Sequence, residues 1–294
     1  MVGQLGYRPN LVAHNLREQK TKIIGLIVSD IQNPFFRYIS ISVEDVAHKN
    51  GFSVILCNND EDLAKEKMYL QLMQDQNIAG IILSPTRQAV GKFETISKLN
   101  IPMVVIDRRI KNVEVDNIFI DNVSSSFKVT RHLVENGYQR IGGIFGKDSI
   151  TGQERYEGYA KALKELGIKL HGELTKFVAP REDAGYQATL KLLQLDKKPD
   201  ALFTSNSLLA AGALRAIQER NLTIPDQIAL TTFDDTSWAR LVTLSLTVID
   251  QPAYEIGQTA TELLMQRIDD PSRSTREIIL KGNLIIRQSS GIHN

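Results

Sequence analysis

From Ile23 onward the chain alternates short apolar runs with longer segments whose apolar residues recur every three or four positions. IIGLIVS (23–29) is a near-continuous apolar run, the pattern of a strand buried on both faces. The next segment, 35–50, places Phe36, Ile39, Val43, Val46 and Ala47 at helical spacing and stops before Gly51. SVILCN (53–58), a helix over 61–76, AGIILS (79–84), a short helix, PMVVID (102–107), NIFID (117–121) and a helix over 122–136 follow. The alternation then restarts with RIGGIFG (140–146), a helix over 152–166, KFVA (176–179) and a helix over 183–195. It continues through ALFTS (201–205), a helix over 207–220, QIALTTF (227–233), SLTVID (245–250), a helix over 253–268 and KGNLIIR (281–287). Two such runs predict an α/β chain with two parallel sheets, each flanked by helices. No Pro/Gly-rich linker separates the runs, so the expected joints are ordered crossovers near 122–125 and near 250.

Length and composition agree with two lobes. The 294 residues exceed one average domain, and 42% apolar with 23% charged residues suits a chain that buries a sizeable core. The single cysteine, Cys57, excludes an internal disulfide and any cysteine-rich metal site. No apolar run reaches the length of a membrane span, and the N-terminus lacks the apolar core of a secretory signal. The expectation is a cytoplasmic protein with no membrane partner. Net charge is +1, yet residues 1–22 carry Arg8, Arg17, Lys20 and Lys22 against Glu18 alone. A basic arm on a slightly acidic body hints at a polyanion partner, though a solvated leader has the same composition.

Enzyme motifs are scarce. No phosphate-binding GxxxxGK[ST] loop, GxSxG elbow or HExxH helix occurs. Ser125 and Lys128 form an SxxK without its companion boxes and read as a solvated helix face. Gly142, Gly143 and Gly146 lie within and at the end of a strand rather than in a dinucleotide turn. No cofactor and no metal is called for. Ligands of open α/β sheets sit beyond the carboxyl ends of the strands, which directs attention to 33–36, Ser84, 107–108, 205–206 and 234–235. The strand-end carboxylates serve acid/base chemistry or ligand hydrogen bonding equally well. In NPFF (33–36), Asn33 suits a helix N-cap and Pro34 the first turn. Two adjacent phenylalanines cannot both face one core from a helix, so one is expected to face the cleft and stack on a ring.

Ten stretches in order carry a family resemblance: LGYRPN (5–10), IIGLIVSDIQNPFF (23–36), IPMVVIDRR (101–109), FIDNV (119–123), GYQRIGGIFG (137–146), ERYEGYAKAL (154–163), AGALRAI (211–217), IPDQIALTTFDD (224–235), LTVIDQPAYEIG (246–257) and LIIRQSS (284–290). Together they resemble the LacI/GalR family of bacterial transcription regulators over essentially the whole chain. The resemblance implies an α/β, two-lobed periplasmic-binding-protein-like fold (type I), each lobe a parallel sheet flanked by helices. It implies a hinge or linker at 1–22, an N-terminal lobe of 23–123 plus 251–280, and a C-terminal lobe of 124–250 plus 281–294. It further implies a homodimer, operator DNA as partner of the full-length protein, and a small effector, a sugar or sugar derivative, without catalysis.

By the same resemblance, effector contacts are expected from Asn33, Phe35, Phe36, Ser84, Asp107 and Arg108 on the first lobe. Arg155, Asn206 and Asp234 are expected from the second lobe, and Gln251 from a crossover. Arg108 and Arg155 have an alternative use as lobe–lobe salt bridges. The family places a helix-turn-helix headpiece before LGYRPN, so YRPNLVAHNLREQKTK (7–22) resembles its hinge helix. Leu16 would be the wedge in the operator's minor groove, with Val12, Ala13 and His14 on the same face. Arg8, Arg17 and Lys20 would contact phosphates. The alternative is that the helix packs on the body. Three departures from the family pattern stand out: Ser207 replaces a usual Asp, Ser84 a frequent Asn, and Pro180 falls near a frequent aromatic. Sugar preference therefore does not transfer. A periplasmic sugar-binding transport receptor shares the fold and the NPFF and DR elements but lacks the YRPN leader. A carbohydrate enzyme using Asp107 or Asp234 is the third reading.

Overall fold

The computed structural model describes residues 21–87, 101–108, 114–242 and 244–291. The hinge residues Arg8, Val12, Ala13, His14, Leu16 and Arg17 and the short helix expected between 84 and 102 lie outside them. The first run of elements is β1 (Ile23–Val28), α1 (Pro34–Lys49), β2 (Ser53–Asn58), α2 (Leu63–Asp75), β3 (Gly80–Leu83), β4 (Met103–Ile106) and β5 (Asp116–Ile120). The second is α3 (Asn122–Glu135), β6 (Ile141–Gly146), α4 (Ile150–Glu165), β7 (Thr175–Val178), α5 (Glu182–Leu193), β8 (Ala201–Thr204), α6 (Ser207–Glu219), β9 (Ala229–Phe233), α7 (Ser237–Leu241) and β10 (Thr247–Asp250). The chain closes with α8 (Ala253–Asp269), β11 (Glu277–Leu280) and β12 (Asn283–Ile285).

These strands form two six-stranded sheets, ordered β11-β5-β4-β3-β1-β2 and β12-β10-β9-β8-β6-β7. The first is parallel throughout. The second is parallel except for β12, which runs antiparallel to β10. The chain passes between the sheets three times, after β5, after β10 and between β11 and β12. Apolar patterning signalled the first two passages, and the lobe bounds implied by the family resemblance include a third between 280 and 281. β11 was hidden because it is a four-residue edge strand whose side chains alternate between exposed and half-buried, with Ile279 52% exposed. Such a strand needs no continuous apolar run. The short helix α7 was likewise not anticipated.

Helix pairs cover the sheets, and each pair closes at a glycine. A Cβ on Gly257 of α8 would strike Ser42 and Ile39 of α1, one on Gly158 of α4 would strike Val123 and Ser126, and one on Gly212 of α6 would strike Glu182 and Tyr186. Backbones therefore approach more closely than any other residue allows. This packing fixes where the helix N-termini, and hence the strand-end loops, lie relative to one another. Both sheets turn the carboxyl ends of their central strands toward the space between the lobes, and there a cleft forms.

Candidate functional site

The cleft encloses about 540 Å³, including its open mouth, and draws its walls from both lobes. At its first-lobe side β1 ends in buried Ser29 and half-buried Asp30, and Asn33 caps α1 by accepting from the Phe35 N–H at 3.0 Å. Capping uses the Asn33 oxygen, and the residue borders the cleft. Phe35 and Phe36 meet edge-to-face at 5.1 Å, and both line the cleft. Both were among the residues implied by the resemblance; what is corrected is the argument that adjacent rings cannot share one core. At the first turn of α1 both rings, 5% and 4% exposed, pack in the core and still border the cavity. The periodicity argument fails there because a helix terminus is flanked by loops as well as by its own sheet.

Ser84 is a second correction. It is fully buried, with its hydroxyl 3.1 Å from that of Ser29 and its carbonyl accepting from Asn59 at 3.2 Å, and it does not border the cleft. It lies beneath the floor, in a polar layer that includes buried Glu66.

Asp107 and Arg108 follow β4. Arg108 is held by Glu61, whose carboxylate takes both of its terminal nitrogens, and by the Pro85 carbonyl at 2.6 Å. Glu61 also accepts from Arg87 Nε at 3.2 Å. Burial alone would raise the Glu61 pKa, but the charge and hydrogen bonds of Arg108, then those of Arg87, outweigh it and hold the carboxyl below its usual range. Asp107 lies 3.4 Å from Arg108 Nε without forming a hydrogen bond, and it accepts none from any described residue. Burial raises its pKa, against the opposing charges of Arg108 and Arg155.

On the second lobe Arg155 projects from α4. Its Nε donates to Asn122 Oδ1 at 2.8 Å, Nη1 to the Ser205 carbonyl, and Nη2 to Gln251 Oε1 at 3.3 Å, while its plane covers the Phe233 ring at 3.9 Å. Asn122 and Gln251 sit on two of the three crossovers, so Arg155 ties both to the second sheet. Burial lowers its pKa, opposed by Asp234 and Asp107. Among the described residues, neither Arg108 nor Arg155 forms the lobe–lobe salt bridge offered as their alternative role: the carboxylates paired with Arg108 belong to its own lobe, and Arg155 is held by Asn122, Ser205 and Gln251. Among the described residues, the ion pair that crosses is Arg181–Asp60 at 3.7 Å, beside an Arg87 hydrogen bond to the Lys147 carbonyl at 3.0 Å.

Asn206 caps α6, accepting from the Leu209 N–H at 2.8 Å, and its amide nitrogen is uncommitted among the described residues. Asp234 accepts from Gln251 Nε2 and from the Ser207 N–H at 3.3 Å. It is bonded to Gln251, which borders the cavity, and is not itself among the residues that border it. Ser149, Thr151 and Glu61 border the cleft and were not singled out from the sequence. All three lie just past strand ends, and Ser149 caps α4 by accepting from the Gly152 N–H at 3.1 Å. The strand-end rule applied to β2 and β6 would have found them.

The comparisons with known proteins fit this geometry. Residues 130–290 match the periplasmic binding protein-like domain. The chain is 31% identical to the HTH-type transcriptional regulator RegA of Clostridium saccharobutylicum, over 98% of this chain and 88% of that one. It is 32% identical to the Ribose operon repressor of Halalkalibacterium halodurans, over 98% and 86%. A LacI family transcriptional regulator from Enterococcus faecium, solved with bound ribose, superposes with a TM-score of 0.82 at 27% identity, covering 92% of this chain and all of that one. The chain belongs to the LacI family of transcription regulators. Membership favours a ligand-responsive regulator over a transport receptor and over an enzyme. Among the described residues of this LacI-family chain, no helix is long and apolar enough to cross a membrane.

Proposed function

We propose that the interlobe cleft is the effector site and that its ligand is a sugar or sugar derivative. The observation that carries this reading is the set of polar groups converging on one cavity: the Asp107 carboxylate, ion-paired with Arg108 but accepting no hydrogen bond from the described residues, and the Asn206 amide nitrogen from the other lobe, beside Phe35 and Phe36. A carboxylate acceptor, amide donors and an aromatic edge match the hydroxyls and apolar face of a sugar ring. Binding across two lobes makes ligand affinity differ between open and closed forms, the condition for shifting a population. In a cytoplasmic homodimer, closure then alters the spacing of the segments preceding Ile23, and with it the affinity for operator DNA. The related Ribose operon repressor and the bound ribose of the Enterococcus faecium neighbour favour a sugar. Calorimetric titration with a panel of pentoses and hexoses tests this. One saturable site per chain is expected, and no saturable heat from any of them contradicts it.

A further inference from the structure

The charge of the effector follows from how the cleft's arginines are employed. Two guanidiniums and three carboxylates, those of Asp30, Glu61 and Asp107, border the cavity. An anionic ligand would need a vacant guanidinium fork, since bidentate Arg pairing is what recognises phosphate and carboxylate. Neither fork is vacant. Glu61 occupies both terminal nitrogens of Arg108, the Pro85 carbonyl takes a further donor, and Nε is buried beside Asp107. Every nitrogen of Arg155 already donates, to Asn122, Ser205 and Gln251, and its face is covered by Phe233. What stays open is negative or neutral: the Asp107 carboxylate, one oxygen of Asp30, whose other oxygen accepts from the Gln32 N–H at 2.9 Å, and the Asn206 amide. A phosphate placed here meets carboxylates rather than free cations, and in a partly desolvated cleft that repulsion is poorly screened.

Resting on the cleft reading above, we infer that this site selects an uncharged effector and rejects its phosphorylated counterpart, with Glu61 as the residue that sets this preference by occupying Arg108. Glu61 acts through Arg108 and is a positioning residue. Removing its charge frees the terminal nitrogens of Arg108 from their carboxylate and leaves Asp107, 3.4 Å from Nε, as the remaining carboxylate beside that guanidinium, so a variant should gain affinity for anions, an effect that mere loss of structure cannot produce.

The test measures affinities of D-ribose, D-glucose and D-fructose beside ribose 5-phosphate, glucose 6-phosphate and fructose 6-phosphate, on wild type and on Glu61→Gln. In the wild type, the sugar that binds is expected to do so at least tenfold more tightly than its phosphate. In Glu61→Gln, shown folded by circular dichroism, that ratio is expected to fall at least tenfold. A wild-type preference for any phosphate over its parent sugar overturns the inference while leaving the cleft reading intact. An unchanged ratio in the folded variant overturns the role of Glu61. If no sugar or phosphate binds, the cleft reading fails and the inference with it. If the variant does not fold, the wild-type ratio decides the charge preference, and Arg108→Gln, which is expected not to gain phosphate affinity, decides whether that arginine is the anion-competent group.

Discussion

Asp107 and Asp234 occupy equivalent positions in the two sheets but differ in every side-chain partner. Each follows the third strand from its sheet's β11 or β12 edge, each adopts a left-handed backbone with φ of 70° and 72°, and each N–H donates to the neighbouring strand, at 3.0 Å to Ile118 and 2.9 Å to Ile249. Asp234 is satisfied by Gln251 and Ser207, whereas Asp107 accepts no hydrogen bond from the described residues. Asp234 is thus held by its neighbours, and the proposed effector site gives the ligand-acceptor role to Asp107. Asn tolerates the same backbone region, so Asn substitutions separate the two roles. Asp107→Asn is expected to leave stability unchanged or raise it, and to weaken effector binding at least ~10-fold, about 1.4 kcal/mol. Asp234→Asn is expected to lose about 1.5 kcal/mol of stability, the typical worth of hydrogen bonds to a charged group. Urea unfolding beside calorimetry checks both.

Glu61 should matter for stability as well as for selectivity. Its side chain is 14% exposed and that of Arg108 6%. Deleting one partner of such a pair leaves an uncompensated buried charge, so Glu61→Ala should cost about 3 kcal/mol. The Glu61 pKa is depressed in the fold, so its contribution is present above about pH 4.3 and is lost as pH falls through its lower folded value. Urea midpoints measured for wild type and Glu61→Ala from pH 7 downward should converge in acid.

A second pH effect comes from His132. It is buried on α3, with Nε2 2.8 Å from the Ser290 hydroxyl and Nδ1 3.1 Å from the Asn136 amide. Burial depresses its pKa, opposed by the Ser290 hydrogen bond. The unfolded chain takes up this proton first, so stability falls as pH drops below about 6.5. His132→Gln should flatten the dependence of the thermal midpoint between pH 7 and pH 5, and an unchanged slope would argue against this assignment.

Gly257 offers a packing test. Its missing Cβ lets α8 approach α1 at Ile39 and Ser42, so Gly257→Ala should destabilise by about 1–3 kcal/mol through overpacking. Gly172 has nothing within 4 Å of its added Cβ, so Gly172→Ala should stay within about 0.5 kcal/mol of wild type. Denaturant midpoints of the two variants make the comparison.

The sequence revealed the buried strands and the amphipathic helices because apolar periodicity records burial directly. The runs at 23–29, 53–58 and 102–107 thus correspond to β1, β2 and β4 to within a residue or two at each end. Edge strand β11 left no such trace because it is only half buried. In the cleft, the cap Asn33 and the strand-end positions 107–108 and 205–206 were legible because local geometry dictates residue type there, whereas the capping role of Asn206 was not read from the sequence. The partner of Arg108 was not, because Glu61 arrives from a loop 47 residues away and no local pattern encodes that meeting. That Ser29 and Gln251 border the cavity while their bonded partners Ser84 and Asp234 do not was equally invisible, since it depends on tertiary packing.

The most direct test is a crystal structure of this chain with the tightest-binding sugar of the panel. The account predicts density between the lobes, with sugar hydroxyls about 2.6–3.0 Å from the Asp107 carboxylate and the Asn206 amide in reach from the other lobe. A ligand seated outside the cleft, or one in the cleft that makes no hydrogen bond to Asp107, would contradict it.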